Sequence, residues 1–406
     1  MKRAFWVIVH RWAGLSIAFF LIVAGVTGAV LPFFHDLERL TAPHFNAAGP
    51  PRPGAALIDP LTLIAEVERR HPDAQVTFFE AAPHEGMTQT ISVQPRDEKK
   101  PIAFDQVAVD PYTGVERGTR LWGDLTSDAS NLLPFIYRLH YQLALGPIAQ
   151  FIFGIAALVW TIDCFVGFYL TLPARRAGVR SWGKSWRVRW NSGSYKRNFD
   201  LHRAGGLWMW PLLFVFAWSA VAFNLPQVYA PVTKLLFGGA IPYADEAEPG
   251  PPGTKPMDWR AARDHGRALM AQQADKHGFT VQREAWMFYN SANQHYAYAV
   301  RSSRDIGDED SGATAITFSA TSGKLAQLMM PTGQYAGNTV TTWLYALHMA
   351  TVGGLPYRIF VSILGLLVTG LSVTGIIIWM RKRSSRLLSR KYGANRLSPR
   401  TPAKAS

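Results

Sequence analysis

The stretch V-H-R-W-A-G-L at residues 9–15 decides the fold, because it returns as L-H-R-A-G-G-L at residues 201–207. Each copy opens a long apolar run and places a histidine, His10 or His202, at the start of that run. A titratable side chain beside a membrane-length apolar segment is costly and usually has a partner or a task. The repetition therefore predicts a duplicated unit in which both histidines serve the same purpose.

The duplication includes a second pair of histidines. His140 and His348 lie in the related stretches Y-R-L-H and Y-A-L-H, and six residues after them come Gly146 and Gly354. Another glycine follows 27 residues past each histidine, before a basic segment. Self-similarity of this kind indicates an internal repeat. We therefore expect two halves of the same order: a helix out, an α+β outer domain and a helix back.

Apolar residues concentrate in four blocks, so the fold class is a membrane α-helical protein with α+β domains outside the membrane. The blocks lie at roughly 4–34, 148–172, 204–225 and 359–380, each near the length that spans a bilayer. We expect transmembrane helix 1 at 1–34, an outer domain at 35–136, a short outer helix with transmembrane helix 2 at 137–172, a basic loop at 173–198, transmembrane helix 3 at 199–227, a second outer domain at 228–337, a short outer helix with transmembrane helix 4 at 338–380, and a basic tail at 381–406.

Local patterns predict elements inside the outer domains. Residues 59–71 and 258–277 favour helices, and four stretches favour strands, namely 75–80, 89–94, 286–290 and 295–300. The proline- and glycine-rich stretches 49–54 and 249–256 indicate linkers.

The net charge of +14 indicates membrane topology rather than nucleic-acid binding. The loop 173–198 holds eight Lys and Arg residues and the tail 381–406 holds nine, without an acidic residue in either. Both predicted outer regions are acidic on balance. The positive-inside rule then predicts that both termini and the basic loop are cytoplasmic, in contact with anionic lipid. We also expect the N-terminal apolar run to be an uncleaved anchor.

The topology sets the depth of the four histidines. His10 and His202, the inner pair, start helices at the cytoplasmic side, whereas His140 and His348, the outer pair, lie at the opposite side. Two neutral imidazoles facing each other across a helix bundle suit axial ligation of one haem iron. The sequence therefore predicts two haem b groups, held by His10 with His202 and by His140 with His348.

Small and cationic neighbours support this hypothesis at the inner pair. Gly14 and Gly206 follow the histidines by four residues on the same helix face, where a side chain would strike a porphyrin. Arg11 and Arg203 follow the histidines directly and could bind propionates. At the outer pair Arg138 lies near His140, but Ala346 occupies the matching position. Arg358 is a second candidate there for binding a propionate.

Other readings of these residues stay open. A histidine at a helix end is often only hydrogen-bonded, although four at repeated positions favour ligation. Zinc or copper is disfavoured because no second ligand follows at helical spacing. Asp163, inside the second apolar block, could serve a proton path, a quinone pocket or a plain interhelical hydrogen bond. The single cysteine, Cys164, excludes iron–sulfur clusters and covalently attached haem.

The chain resembles the PepSY-associated transmembrane family, whose members include siderophore-iron reductases of bacterial inner membranes. The resemblance rests on H-R-W-A-G-L from His10, L-H with Gly146, L-H-R with Gly206, and L-H with G-L-P from Gly354. The turn D-P-Y-T-G at 110–114 looks like the end of a PepSY module, whereas the related stretch at 319–323 lacks Asp-Pro. The resemblance covers roughly residues 1–383.

The resemblance implies a di-haem reductase of ferric siderophores in the inner membrane, with the four histidines as ligands. Electrons would enter at the inner pair, pass to the outer pair and reduce a ferric complex held between the outer domains. No nucleotide-binding motif is evident, so a quinol or a separate cytoplasmic reductase must be the donor. The alternatives are a PepSY anchor, sensor or regulator without enzymatic activity, and a haem conduit to a partner reductase.

Overall fold

The computed structural model describes residues 3–126, 128–173, 178–238, 254–307 and 313–397. Predictions that concern Arg175, Arg176, most of the linker 249–256 and the end of the tail lie outside these residues. The helices among them are α1 (Arg3–Gly28), α2 (Phe34–Thr41), α3 (Pro43–Asn46), α4 (Pro60–Arg70), α5 (Leu132–Gln142), α6 (Pro147–Thr171), α7 (Ser194–Trp208), α8 (Trp210–Asn224), α9 (Pro226–Phe237), α10 (Trp259–His277), α11 (Ala336–Met349) and α12 (Gly354–Leu397). Short 3-10 helices cover Leu31–Phe33, Ala129–Asn131 and Val179–Trp186.

Three helices of the described chain, α1, α6 and α12, are long and apolar enough to cross a membrane. The fourth predicted span, 199–227, differs from the prediction because α7 and α8 meet at an angle of 71°. Pro211 in the first turn of α8 explains the bend, since its ring lacks an N–H and clashes with the preceding turn. The described residues therefore contain three candidate spans, or four if the bent pair counts as one.

The outer helices end where the sequence predicts breaks. Helix α5 stops at Gln142, and α6 begins at Pro147 after Gly146, whose φ is +86°. In the second half, α11 stops at Met349, and Gly353 has a φ of +72° just before α12. Glycine adopts such left-handed backbone without strain, so both junctions can leave helical geometry there. Each half thus has a short helix that a glycine-containing break separates from the long helix that follows it.

The strands form one sheet, where two separate outer domains were expected. They are β1 (Ala74–Glu80), β2 (Gln89–Pro95), β3 (Gln106–Val109), β4 (Glu116–Arg120), β5 (Val281–Asn290), β6 (His295–Ser302), β7 (Thr314–Ser319) and β8 (Leu325–Met329). All neighbours are antiparallel, in the order β4-β3-β2-β1-β5-β6-β7-β8. Each half therefore contributes four strands, and the halves join where β1 pairs with β5.

The central pairing explains why the outer regions merge. Strands β1 and β5 would each be an exposed edge in an isolated half, with unpaired backbone groups. In the joined sheet Phe78 lies opposite Phe288, and Phe79 lies opposite Met287. A single apolar core packs both halves, with α4 and α10 covering the sheet. The two sets of strands are therefore one structural unit.

The turn after β7 replaces the Asp-Pro of the first half without losing its shape. Asp110 accepts a hydrogen bond from the backbone N–H of Thr113 at 3.1 Å. Ser319 accepts one from the backbone N–H of Ser322 at 3.2 Å, so its hydroxyl takes the place of the carboxylate. Both turns end on a glycine with a φ of +71°. The departure noted in the sequence therefore changes the capping group and leaves the turn intact.

The membrane helices of the two halves interlock. Helix α1 of the first half packs along α12 of the second, and α6 packs along α8. At the first crossing a Cβ added to Gly25 would lie 2.6 Å from the carbonyl oxygen of Gly365. At the second, a Cβ added to Gly154 would lie 2.5 Å from the Leu225 side chain. Small residues let these helices approach closely, as is common within membranes.

Candidate functional site: two histidine pairs

The inner pair forms where α1 approaches α7. The ring centroids of His10 and His202 are 6.2 Å apart, and the ring planes are inclined at 54°. A Cβ added to Gly167 would lie 3.5 Å from His10 Cε1, and one added to Gly375 would lie 3.3 Å from His202 Cε1. These are the glycines that the repeat places 27 residues past His140 and His348. They leave space for the imidazole of their own half.

The Nδ1 atoms of the inner pair are hydrogen-bonded to the second long helix of each half. His10 Nδ1 lies 2.9 Å from both carboxylate oxygens of Asp163 on α6. His202 Nδ1 lies 3.0 Å from the backbone carbonyl oxygen of Leu371 on α12. Both acceptors lack a proton of their own, so each Nδ1 donates its hydrogen. The geometry identifies Asp163 as a partner of His10.

The outer pair lies on the two short helices, α5 and α11. The ring centroids of His140 and His348 are also 6.2 Å apart, with the planes inclined at 74°. A Cβ added to Gly28 would lie 2.9 Å from His140 Cε1. The rings of Phe216 and Phe223 pack on His348, at centroid distances of 4.7 and 5.3 Å. Apolar neighbours thus hold both imidazoles.

Two hydroxyl groups fix the orientation of the outer imidazoles. Thr27 Oγ1 lies 3.0 Å from His140 Nδ1, and Ser219 Oγ lies 2.6 Å from His348 Nδ1. Each hydroxyl donates its own proton to the carbonyl oxygen one turn earlier in its helix, at 2.7 Å. Because a hydroxyl has one proton, it must accept from Nδ1. The tautomer of both histidines therefore carries its hydrogen on Nδ1.

The four Nε2 atoms are left as available lone pairs. Within the described part of the chain, none of them forms a hydrogen bond, while every Nδ1 does. Burial lowers the pKa of His140 to about 4 and that of His348 to about 3, so the outer pair is neutral near pH 7. A metal-binding imidazole typically donates its other N–H to a second group that orients the ring. All four histidines meet this requirement.

The separation of the rings fits one metal ion between them. Two imidazoles that bind one metal from opposite sides, each with a nitrogen–metal bond of about 2.0 Å, have centroids roughly 6 Å apart. Both pairs have centroids 6.2 Å apart. A direct hydrogen bond between the rings would instead require a nitrogen of one ring to donate to the other. The spacing of the rings is therefore compatible with one metal ion, such as a haem iron, held between the two imidazoles of each pair.

Gly14 and Gly206, the glycines predicted to leave room for a ligand, are not in contact with other described parts of the chain. A Cβ added to Gly14 or Gly206 would meet no atom within 4 Å. Packing within the chain therefore does not require glycine at either position, in contrast to Gly25 and Gly365. The two open positions lie one helical turn beyond His10 and His202. A flat ligand between these rings would pass over backbone that has no side chain.

A cavity of about 960 Å³ adjoins the outer pair. This volume is in the range of pockets that hold drug-sized ligands and cofactors. Its apolar part lies between the long helices and includes Phe20, Phe153, Trp160 and Phe216. Its other part is polar and extends to the strands of the first half, where His35, His84, Glu38, Arg39, Arg120, Thr90 and Gln106 line it. The same space therefore reaches from the outer histidines to the sheet.

The arginines differ in how far they fit the predicted role of binding a propionate. Arg11 forms no hydrogen bond or ion pair with the described residues, so its guanidinium is available. Arg203 is already engaged, since it donates to Asp200 at 2.9 Å and to the Lys184 carbonyl oxygen at 2.8 Å. Its buried Nε lacks a partner in the described chain. Both of these bonds use Nη2, so Arg203 can still donate from Nε and from its other terminal nitrogen, which form no hydrogen bond with the described residues.

At the outer pair the structure favours Arg358 over Arg138. Arg138 does not line the cavity; its guanidinium turns toward the loop, where it lies 3.4 Å from the Gly123 carbonyl oxygen. Residues two apart on a helix face different sides, so Arg138 and His140 diverge. Arg358 does line the cavity and is paired with Asp36. Arg358 is one of the cations that line the cavity, with Arg39 and Arg120, and the role of Arg138 in binding a propionate stays a prediction.

Sequence reasoning singled out Asp163 but missed the other groups that hold the rings. Thr27 and Ser219 are related by the same 192-residue offset that relates His10 to His202. That offset was a usable signal, because it puts a hydroxyl at one equivalent position in each half. Leu371 acts through its backbone and gives no side-chain signal. Gly28 has no counterpart glycine, since Ala220 occupies the equivalent position.

The fold and the two histidine pairs together define a duplicated membrane protein with an antiparallel sheet formed by both halves. Residues 7–382 match the family described as PepSY-associated TM region. The chain belongs to this family, and the match covers both histidine pairs and the whole sheet. No curated protein matches the chain significantly by sequence. The family assignment confirms the resemblance found in the sequence.

Proposed function

We propose that this protein is a two-haem b-type oxidoreductase of a bacterial inner membrane, which reduces ferric siderophores on the outer side. The observation that carries this proposal is the equal 6.2 Å spacing of two histidine pairs whose Nδ1 atoms are all engaged. If each histidine only formed an incidental hydrogen bond, the four imidazoles would not be expected to form two pairs with matching spacing and with Nδ1 engaged in every ring. The haem ligands would be His10 with His202 and His140 with His348.

The chain's own residues would bind and orient two such groups. Haem, when bound between two imidazoles, supplies one-electron chemistry at its iron without an open coordination position for substrate. Thr27, Ser219, Asp163 and the Leu371 carbonyl would keep the ligand rings in place. Arg11 and Arg358 would face carboxylates at the edges of the two groups. Gly14 and Gly206 would leave room for the inner ring.

The cavity supports reduction of an external acceptor near the outer pair. Its polar part faces the strands of the first half and carries both cationic and anionic side chains, such as Arg39 and Glu38. A polar metal complex could approach the outer histidines there without entering the apolar core. Reduction would release the metal, because Fe(II) binds hard oxygen ligands more weakly than Fe(III) does. A ferric siderophore is therefore the substrate class that we propose.

The electron donor would act from the cytoplasmic side. The basic loop and tail support an orientation with both termini in the cytoplasm, in contact with anionic lipid. The inner pair would then lie nearest the cytoplasmic face. A quinol or a separate cytoplasmic reductase is the proposed donor, because the sequence contains no nucleotide-binding fingerprint.

Haem content tests the proposal directly. The purified protein should show a Soret band and about two haems per chain, and ferric siderophore should reoxidise the dithionite-reduced form. His202→Ala should lose about half of the haem, because one of two pairs is broken. The matched control is His277→Ala, which removes a histidine at the end of α10, outside both pairs.

Each alternative function gives a different result. A colourless protein that is fully folded would contradict the proposal and favour an anchor, sensor or regulator. A haem protein that ferric siderophore does not reoxidise would favour a conduit to a partner reductase. Unchanged haem content in His202→Ala would contradict the assignment of the ligand pairs.

A further inference from the structure

The two halves differ at the group that holds the inner histidine. The offset of 208 residues that relates His140 to His348 also relates Asp163 to Leu371. The carboxylate of Asp163 accepts from His10 Nδ1, whereas the backbone carbonyl of Leu371 accepts from His202 Nδ1. The hydrogen bond is therefore kept in both halves, while a negative charge is present in one of them.

Among the residues that the structure describes, no carboxylate is hydrogen-bonded to the rings of the outer pair. His140 and His348 both donate to hydroxyl oxygens, those of Thr27 and Ser219. Of the four imidazoles, His10 is thus the one whose Nδ1 faces a carboxylate. Asp163 is 8% exposed, so water screens its charge only weakly. The inner and outer pairs are alike in geometry and unlike in electrostatics.

A buried carboxylate on the far side of a ligand imidazole affects the metal in two ways. It draws the Nδ1 proton and makes Nε2 a stronger electron donor. Its negative charge also stabilises the ferric state, which carries one more positive charge than the ferrous state. Both effects favour the oxidised form and lower the reduction potential. Neutral acceptors, such as a hydroxyl or a backbone carbonyl, have the first effect only weakly.

We propose that Asp163 is a positioning residue that holds the potential of the inner haem below that of the outer haem. This inference rests on the proposed function and deepens it, because it assigns a direction to electron transfer between the two haems. With the lower potential at the cytoplasmic side, the outer site is the favoured location for an electron. The difference between Asp163 and Leu371 would thus give electron transfer a direction in a molecule whose two halves are otherwise equivalent.

A second buried carboxylate near His202, that of Asp200, does not reproduce this effect. Asp200 on α7 is also buried, but Arg189 and Arg203 both bind its carboxylate, at 2.6 and 2.9 Å. Its charge is therefore neutralised. Asp163 forms an ion pair only with His10 among the described residues. Substituting Asp163 alone leaves the other charges in place and isolates its contribution.

The substitution Asp163→Asn separates an electrostatic role from a structural one. Asparagine keeps an oxygen that can accept from His10 Nδ1 and removes the charge. We expect the haem content and the outer haem to be unchanged. The inner haem should become easier to reduce. At the midpoint potential of the original protein, the ratio of reduced to oxidised inner haem should rise at least about tenfold, which corresponds to a shift of about 59 mV for one electron.

The measurement is a potentiometric titration followed by visible absorbance. The double variant His140→Ala/His348→Ala keeps only the inner pair, so the shift can be read at one haem with Asp or Asn at position 163. Thr161→Val is the matched control on the same helix, since its hydroxyl bonds only the Ala157 carbonyl oxygen. It should leave the midpoint unchanged. Asp163→Asn in the otherwise intact chain should retain the outer haem, which verifies folding.

The outcomes are distinguishable. A wild-type protein without haem overturns the proposed function and this inference with it. A protein with two haems whose inner midpoint is unaffected by Asp163→Asn leaves the function standing and overturns the inference. Loss of the inner haem from the Asn variant also contradicts it, because asparagine should still hold the ring and only the charge was assigned a role.

Discussion

Gly14 is the clearest example of a residue that a ligand, rather than packing within the chain, would require. An added Cβ there meets no atom within 4 Å, although the position follows His10 by one helical turn. Glycine is unfavourable inside a helix by up to about 1 kcal/mol relative to alanine. A glycine that packing does not require, next to a candidate ligand, is best explained by the space it leaves.

The substitution Gly14→Leu should therefore remove the inner haem and leave the protein folded. The leucine side chain would occupy the space beside His10, while the apoprotein should keep its stability within about 0.5 kcal/mol. Absorbance should show loss of about half of the haem, and thermal unfolding of the two haem-free proteins should be the same. Val26→Leu, at an exposed position of the same helix, serves as the control. Full haem content in Gly14→Leu would show that this face meets lipid.

The sequence was sufficient to pair the histidines and insufficient to identify what holds them. A constant offset relates His10 to His202, and it requires no knowledge of packing. Thr27 and Ser219 gave weaker signals, because a hydroxyl in an apolar helix commonly bonds its own backbone. The contact between Asp163 and His10 depends on the rotation of α6 against α1. That rotation is set by packing along the whole helix.

Among the elements, the crossing of α1 and α12 holds the two halves together within the membrane. Gly25 and Gly365 face each other across it, and a Cβ added to Gly365 would lie 2.7 Å from the Gly25 carbonyl oxygen. Backbone cannot move aside as a side chain can. The helices would have to separate, and the packing on both sides of the contact would be lost.

Gly365→Ala should therefore destabilise the protein by about 1–3 kcal/mol or more, the usual cost of overpacking a tight contact. Thermal unfolding in detergent should show the loss. Gly370→Ala is a matched control on the same helix, because a Cβ there would meet no atom within 4 Å. Equal stability of both variants would mean that the close crossing is absent in solution.

The bounds of helices and strands could be predicted from the sequence where hydrophobic periodicity and composition agreed, and could not be predicted elsewhere. The helices α4 and α10 and the strands β1, β2 and β6 lie close to the predicted ranges. Strand β4, with the sequence E-R-G-T-R, has no apolar alternation. It forms because it pairs with β3 and because Arg120, which is buried, binds Glu38 at 2.9 Å. That ion pair joins residues far apart in sequence, so the strand propensities of residues 116–120 do not predict it.

For the whole molecule, the interfaces between the halves coincide with the candidate sites. Each histidine pair takes one member from each half, and the central pairing of β1 with β5 does the same in the sheet. The sequence indicated the duplication but suggested that each half had its own outer domain. Two repeats can join their sheets only through edge strands whose backbone groups are unpaired. The sequence of one repeat alone does not show which strand that is.

A chain divided between the halves should therefore regain its sites only when both parts are present. A break between Ser192 and Gly193, in the exposed segment before α7, gives fragments 1–192 and 193–406. Each fragment has one histidine of every pair and an unpaired β1 or β5 edge, so each alone should bind no haem and should aggregate. Co-expressed fragments should copurify with about two haems per pair, measured by absorbance after affinity purification through a tag on one fragment. If fragment 1–192 alone retained a haem with two imidazole ligands, ligation across the halves would be wrong.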